Sequence, residues 1–187
     1  LRMHEMFLGP LTQHKPWNTD GITGVFSFLK KFWSLFHSSN NTFYINNEEP
    51  TKEELIILAK TIKKIQSDIK TFSFNTSISS FMILVNYLKK VKCYKQKILE
   101  PLLILLSPFA PFICEEIWCK LKKSNTSISY SKFPTYDDSL LINDNINYPI
   151  AINGKKKTNI MISSNLKNNE IEKIILNDEK IKNYIIN

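Results

Sequence analysis

The stretch Leu106-Ser107-Pro108-Phe109-Ala110-Pro111-Phe112-Ile113-Cys114-Glu115-Glu116-Ile117-Trp118 decides the fold. Ahead of it, the apolar run from Ile98 to Leu106 has the length and content of a helix. Pro108 and Pro111 each lack a backbone donor and collide with the preceding turn, so that helix must break or kink there. A second helix restarts behind the break. Ser107 is its expected cap, and Glu115 and Glu116 lie near its start, where the helix dipole favours anions. Ile113, Ile117, Trp118 and Leu121 recur every three or four residues as its apolar face.

Toward the N-terminus the same periodicity places three more helices. Ile22, Val25, Phe26, Leu29, Phe32, Trp33 and Phe36 share one wide helix face, with Lys30 and Lys31 opposite it. Ser38 to Pro50 is rich in Ser and Asn and reads as a loop, ended by a capping box at Thr51 and Glu54. Leu55, Leu58, Ile62, Ile65, Ile69 and Phe72 form the core stripe of a long helix flanked by Lys60, Lys63, Lys64 and Lys70. Asn75 or Thr76 is the expected cap of the next helix, whose inward face is Ile78, Phe81, Met82, Val85 and Leu88. Lys89, Lys90, Lys92, Lys95 and Lys97 crowd the turn that follows. Stripes of this kind bury one another in an antiparallel helical bundle, here over residues 21–123.

Beyond Lys123 the pattern changes. Residues 124–145 read as a polar segment that either wraps back over the bundle or links onward. Ile146, Tyr148, Ile150 and Ile152 then alternate, Asn153-Gly154 suits a type I′ turn, and Thr158, Ile160 and Ile162 alternate again, which predicts a β-hairpin. Asn168 or Asn169 precedes a last helix with Ile171, Ile174, Ile175, Ile181 and Ile185 as its stripe. The expected fold is mainly α, a bundle followed at 146–187 by a small, incomplete α+β unit with a thin core.

Several segments together resemble the C-terminal part of class I aminoacyl-tRNA synthetases, and within them the leucyl enzymes. The double-proline break resembles the final helices of that family's anticodon-binding domain. Arg2 to Leu11 is similar to the stretch that leaves the catalytic domain after the K-M-S-K-S loop, which makes residues 1–20 the exit from that domain. Lys15 to Val25, running on to Trp33, is similar to the first part of the leucyl helical domain. Phe72 to Thr76 resembles the start of a later helix, and Tyr148 to Lys155 the first hairpin of the bacterial leucyl C-terminal domain. The double-proline motif alone does not separate leucyl from valyl or isoleucyl enzymes; the Gly-Pro-Leu and Lys-Pro-Trp-Asn segments favour leucyl.

The resemblance implies a tRNA-binding portion of a leucine-tRNA ligase, cytoplasmic, with leucine tRNAs and a catalytic domain or subunit of the same synthetase as partners. Neither H-I-G-H nor K-M-S-K-S occurs in the chain, so no catalytic residue is expected here, no cofactor is held by this segment, and ATP is used by a catalytic domain outside it. The expected phosphate contacts are Lys155, Lys156 and Lys157, behind a hairpin turn that projects into solvent, and Lys30 and Lys31 on the first bundle helix. A solvated helix face or a charged tip that keeps a strand edge soluble accounts for the same lysines. Two departures from the family pattern stand out. Ser27 and Ser34 occupy positions where it commonly has arginine, which removes a bidentate grip on phosphate. Phe112 stands where it usually has histidine. A free-standing helical RNA-binding or scaffold protein is the reading from another class.

Composition bounds these expectations. A chain of 187 residues with 43% hydrophobic content can bury a real core. No apolar run reaches the roughly 20 residues of a bilayer span. The net charge of +8 permits RNA binding without requiring it, because Asn, Ile and Lys fill the chain as they do in A+T-rich coding sequences. Cys93, Cys114 and Cys119 lack paired spacing and are expected as reduced, mostly buried thiols. His4, His14 and His37 are too far apart to suggest a metal site. Trp17, Trp33 and Trp118 are expected in the core, with stacking on bases as their alternative.

Overall fold

The computed structural model describes residues 1–38, 40–122, 126–141, 145–152, 155–163 and 168–177. It divides into two compact units, Leu1–Leu141 and Ile142–Asn187. The first holds α1 (Arg2–Phe7), α2 (Ile22–Trp33), α3 (Lys52–Lys70), α4 (Phe74–Lys90), α5 (Gln96–Leu106) and α6 (Pro111–Lys122). The second holds β1 (Asn145–Ile152), β2 (Lys155–Ser163) and α7 (Asn168–Asn177). Among the described residues no helix is long and apolar enough to cross a membrane, and no group of His, Cys, Asp or Glu is placed to hold a metal ion.

In the first unit α4 packs against α1, α2 and α3, while α5 packs against α3 and α6. Phe32, Phe36, Ile65, Phe81, Leu84, Leu88 and Leu102 are among its fully buried side chains. The capping box forms as expected: the Thr51 N–H donates to Glu54 Oε2 at 2.7 Å and the Glu54 N–H to Thr51 Oγ1 at 3.3 Å. Glu54 itself is buried and ion-paired to Lys95 at 2.9 Å.

The end of α3 differs from expectation. The Ser73 N–H donates to the Asp68 carbonyl and the Phe72 N–H to the Ile69 carbonyl, and Phe72 takes φ 54°. That pair of bonds is a Schellman ending, which normally places glycine at the left-handed position. Phe72 is therefore 62% exposed beyond the end of α3 and is not part of its core stripe. The end of α4 repeats the arrangement, with Cys93 N–H to Leu88 carbonyl, Lys92 N–H to Lys89 carbonyl and Lys92 at φ 51°. Neither Asn75 nor Thr76 caps α4. Its N-cap is Ser73, whose hydroxyl meets Thr71 Oγ1 and makes no capping bond, and Thr76 Oγ1 instead donates to the buried Asp68 carboxylate at 2.8 Å.

The double-proline break closes α5 and opens α6. Ser107 is the C-cap of α5, its hydroxyl donating to the Ile104 carbonyl at 2.9 Å, so it does not cap α6. Pro111 is the first residue of α6, where a missing N–H costs no helical bond and the fixed φ suits the helix. The buried face of α2 is Val25, Phe28 and Phe32, rotated from the expected stripe, and Phe26 is left 57% exposed. Trp17 is also exposed, at 58%, edge-on to the buried His4 ring; its expected place in the core is corrected. Trp118 is buried as expected, and Trp33 is half-buried, stacked on His37 at 4.1 Å. Cys93 and Cys114 are buried and Cys119 is exposed.

Residues 126–141 wrap back over the bundle. Trp118 Nε1 donates to the Thr126 carbonyl at 2.9 Å, the Ser127 hydroxyl and the Ile128 N–H both donate to Glu115, and Gln66 reaches the Pro134 carbonyl. The bundle unit thus runs to Leu141, where the sequence alone puts its end at 123. In the second unit β1 and β2 pair antiparallel with Tyr148 opposite Ile160 and Ile146 opposite Ile162. The predicted turn at Asn153-Gly154 and the stripe positions Ile181 and Ile185 lie outside the described residues. In α7, Ile171 is buried and Ile174 is 43% exposed.

Candidate nucleic-acid interface

Burial of Val25, Phe28 and Phe32 turns Phe26, Lys30 and Lys31 outward on α2. Lys30 Nζ lies 4.4 Å from the Phe26 ring centroid, one turn back on the same face. Lys31 Nζ donates to Asn86 Oδ1 on α4 at 3.1 Å. The last turn of α4 supplies Lys89 and Lys90, three and four positions beyond Asn86, and both are exposed. The result is a surface across two helices that interleaves lysines with an aromatic ring and a side-chain amide. Its lysines can contact phosphates, Asn86 can bond phosphate or ribose oxygens, and Phe26 offers a face for a base.

The lysines of the α4–α5 turn divide by partner. Lys95 is tied to Glu54, its hydrogen bond to that carboxylate raising its pKa, and Lys97 is paired with Glu49. Lys95 is thereby a structural residue. Lys64 likewise holds the buried Asp68 at 2.6 Å, and Lys122 pairs with Glu100. Lys120 pairs with Glu116 and sits 4.9 Å from the Trp33 ring centroid.

Lys155, Lys156 and Lys157 open β2, and their side chains lie outside the described residues. The register shifts between Ile150 and Ala151: Thr158 pairs with Ile150 but Lys156, not Lys157, pairs with Ala151. Lys157 is therefore the extra residue of a β-bulge. Lys30 and Lys31 belong to the first unit and the hairpin lysines to the second.

Neither Phe26 nor Asn86 is marked by the sequence as a surface group. Its pattern places Phe26 in the core because α2 is apolar on more than one side, and only the choice of Phe28 over Phe26 by the packing resolves that ambiguity. Asn86 carries no motif at all. Ser27 is exposed, and the Ser34 hydroxyl donates to the Lys31 carbonyl at 2.8 Å, closing the end of α2.

Residues 52–175 match the family described as "Anticodon-binding domain of tRNA ligase". The chain is similar over 185 residues to the leucine–tRNA ligase of Cytophaga hutchinsonii at 48% identity, covering 99% of this chain and 20% of that protein. It is similar over 185 residues to the leucine–tRNA ligase of Flavobacterium johnsoniae at 50% identity, covering 99% of this chain and 19% of that one. Among solved structures it matches a LeuRS of Agrobacterium radiobacter, crystallised as a ternary complex with tRNA and LeuAMS. The TM-score is 0.74 at 26% identity, over 98% of this chain and 26% of the other. The chain thus spans about a fifth of the length of the curated relatives it matches.

Proposed function

The chain belongs to the anticodon-binding domains of tRNA ligases, and from that premise we propose that it is the tRNA-binding C-terminal portion of a leucine–tRNA ligase. In this reading it holds leucine tRNA while a catalytic domain outside these 187 residues activates leucine with ATP and charges the acceptor end, in the cytoplasm. The similarity to leucine ligases over 99% of the chain carries the reading. Its own chemistry is electrostatic. Lys30, Lys31, Lys89 and Lys90 on the bundle and Lys155, Lys156 and Lys157 on the hairpin displace counterions from the RNA backbone, with Asn86 and Phe26 adding polar and stacking contacts. Lysine grips phosphate as a point charge, so these contacts position the tRNA and read no bases.

Binding of leucine tRNA measured against salt concentration tests the assignment. Lys30→Ala with Lys31→Ala, and separately the triple change of Lys155, Lys156 and Lys157 to Ala, are each expected to weaken binding. Each is also expected to flatten the salt dependence by up to about 0.9 for every phosphate no longer neutralised, the duplex value. The weakening should be equal for leucine tRNAs with different anticodons. An unchanged slope would leave those lysines as solubilising charges, and a weakening confined to one anticodon would mean base readout.

A further inference from the structure

Along the outer side of α3 and α4 runs an open groove of about 580 Å³, within the roughly 300–1,000 Å³ of small-ligand sites. Ile56, Ile57 and Ile83 give it an apolar floor, and Ile83 is 64% exposed in the middle of its helix. Glu53 and Tyr87 lie at one end, and Lys60 and Lys64 along the rim. We propose that this groove holds one unstacked guanine of the bound RNA, a proposal that rests on the leucine–tRNA ligase reading above.

Position selects RNA as the occupant. Ile83, Asn86 and Lys90 recur every three or four residues on one exposed face of α4, and Tyr87 follows Asn86. The groove therefore continues from the lysine surface of α2 and α4, where Lys31 bonds Asn86. Its own cations suit the same backbone. Lys64 is taken up by Asp68, but Lys60 is exposed and makes no ion pair among the described residues, so it is available to a phosphate. An apolar floor beneath a lysine fits a base turned out of its stack with its phosphate at the rim.

Glu53 selects which base. It is exposed, and a carboxylate repels phosphate and can only accept hydrogen bonds. Guanine alone presents two adjacent N–H donors, at N1 and N2, which one carboxylate accepts together. Adenine and cytosine set a ring-nitrogen lone pair beside their amino group, and uracil sets a carbonyl on either side of its single N–H, so each turns an acceptor toward the carboxylate. Burial, with the Glu54 and Glu53 carboxylates nearby, raises the Tyr87 pKa and keeps its hydroxyl protonated, which makes it a donor suited to guanine O6 beside N1.

Kethoxal probing of leucine tRNA bound to the full ligase chain tests this, because kethoxal attacks guanine at N1 and N2. One unpaired guanine is expected to lose its reactivity in the complex and to regain it with Glu53→Gln, a variant whose continued tRNA binding shows that it is folded. Dimethyl sulfate at adenine N1 and cytosine N3 should show no change that depends on Glu53. Inosine at the protected position lacks the 2-amino donor, and is expected to weaken binding to the wild type about tenfold and binding to Glu53→Gln much less. Bound tRNA with no guanine protected through Glu53 overturns the pocket and leaves the ligase reading standing; a folded ligase that binds no leucine tRNA overturns both. Protection of an adenine or cytosine through Glu53 also overturns the pocket. So does cross-linking of p-benzoylphenylalanine, placed at position 83, to a protein segment in the ligase free of tRNA.

Discussion

Replacing Trp118 by alanine is expected to destabilise the helical unit by about 3–5 kcal/mol, the cost of emptying a large buried aromatic site. Trp118 is 6% exposed on α6 and ties the returning segment down, its Nε1 donating to the Thr126 carbonyl at 2.9 Å. Lys122 lies over the outer face of its ring, 4.9 Å from the centroid. Loss of the indole thus removes core packing and an anchor for residues 126–141 together. For a unit of this size the melting temperature should fall by about 10 °C. Trp118→Phe keeps most of the apolar area and should cost nearer to about 1 kcal/mol, chiefly for the hydrogen bond. Thermal denaturation followed by circular dichroism checks both values. A Trp118→Ala protein that melts like the wild type and binds RNA poorly would identify Trp118 as a stacking residue.

Most of the bundle is legible in the sequence because helix periodicity records burial directly. Leu58, Ile62 and Ile65 on α3, and Ile78, Phe81, Val85 and Leu88 on α4, are buried as their spacing predicts. Thr51 and Glu54 announce a helix start, since a capping box is written in residue identity. The manner in which α3 and α4 end, at Phe72 and Lys92, is not legible, although the lysine-rich turn after α4 is. A Schellman ending is signalled by glycine, and here a phenylalanine and a lysine adopt the left-handed conformation without that signal. Phe72, being apolar and in phase, reads as part of the stripe of α3. Phe26 and Phe28 show the complementary limit, for an apolar residue on either side of α2 satisfies the pattern and only packing chooses. The return of residues 126–141 over the bundle rests on hydrogen bonds from Trp118, Gln66, Ser127 and the Ile128 N–H and on burial of the single Ile128 side chain, which leave no periodic trace. In the candidate interface Lys30 and Lys31 are legible as charges opposite an apolar face. Their neighbours Asn86, Lys89 and Lys90 come from a different helix, and that juxtaposition is a product of the fold.

Removing one partner of the Glu54–Lys95 pair is the second large effect. Lys95→Ala should cost about 3 kcal/mol near neutral pH, because it leaves a carboxylate without its cation in a buried site. Burial raises the Glu54 carboxyl, but the bonds from Lys95, the Thr51 N–H and Cys93 outweigh it and hold the pKa below the ordinary value. Burial likewise pushes the neighbouring Cys93 thiol up to about 11, so it stays protonated and able to donate. A depressed carboxylate contributes stability that is complete above the unfolded-state pKa of about 4.3 and is lost as pH falls through the lower folded value. The gap in stability between wild type and Lys95→Ala should therefore be widest near neutrality and narrow as the solution is acidified, first as the uncompensated Glu54 of the variant takes up a proton and then as the wild-type carboxylate does. Urea denaturation of both proteins across that range measures it. A gap that does not change with pH would remove Glu54 as the origin of the destabilisation. Since Lys95 is held structurally by Glu54, any fall in tRNA affinity in this variant should follow the unfolded fraction.

Whether this chain holds leucine tRNA for a leucine-charging domain can be read from a chimera. The matched segment of the Cytophaga hutchinsonii leucine–tRNA ligase is replaced by these 187 residues, and two reactions are followed in one preparation: leucine-dependent ATP–pyrophosphate exchange, which reports the catalytic domain, and transfer of leucine to tRNA, which needs the tRNA held. Both are expected to proceed, with transfer at a rate of the same order as in the parent enzyme. Changing Lys30 and Lys31 to alanine is expected to raise the KM for tRNA while leaving exchange untouched. Undiminished exchange with no transfer to any leucine tRNA, in a chimera whose bundle is folded, would contradict that role.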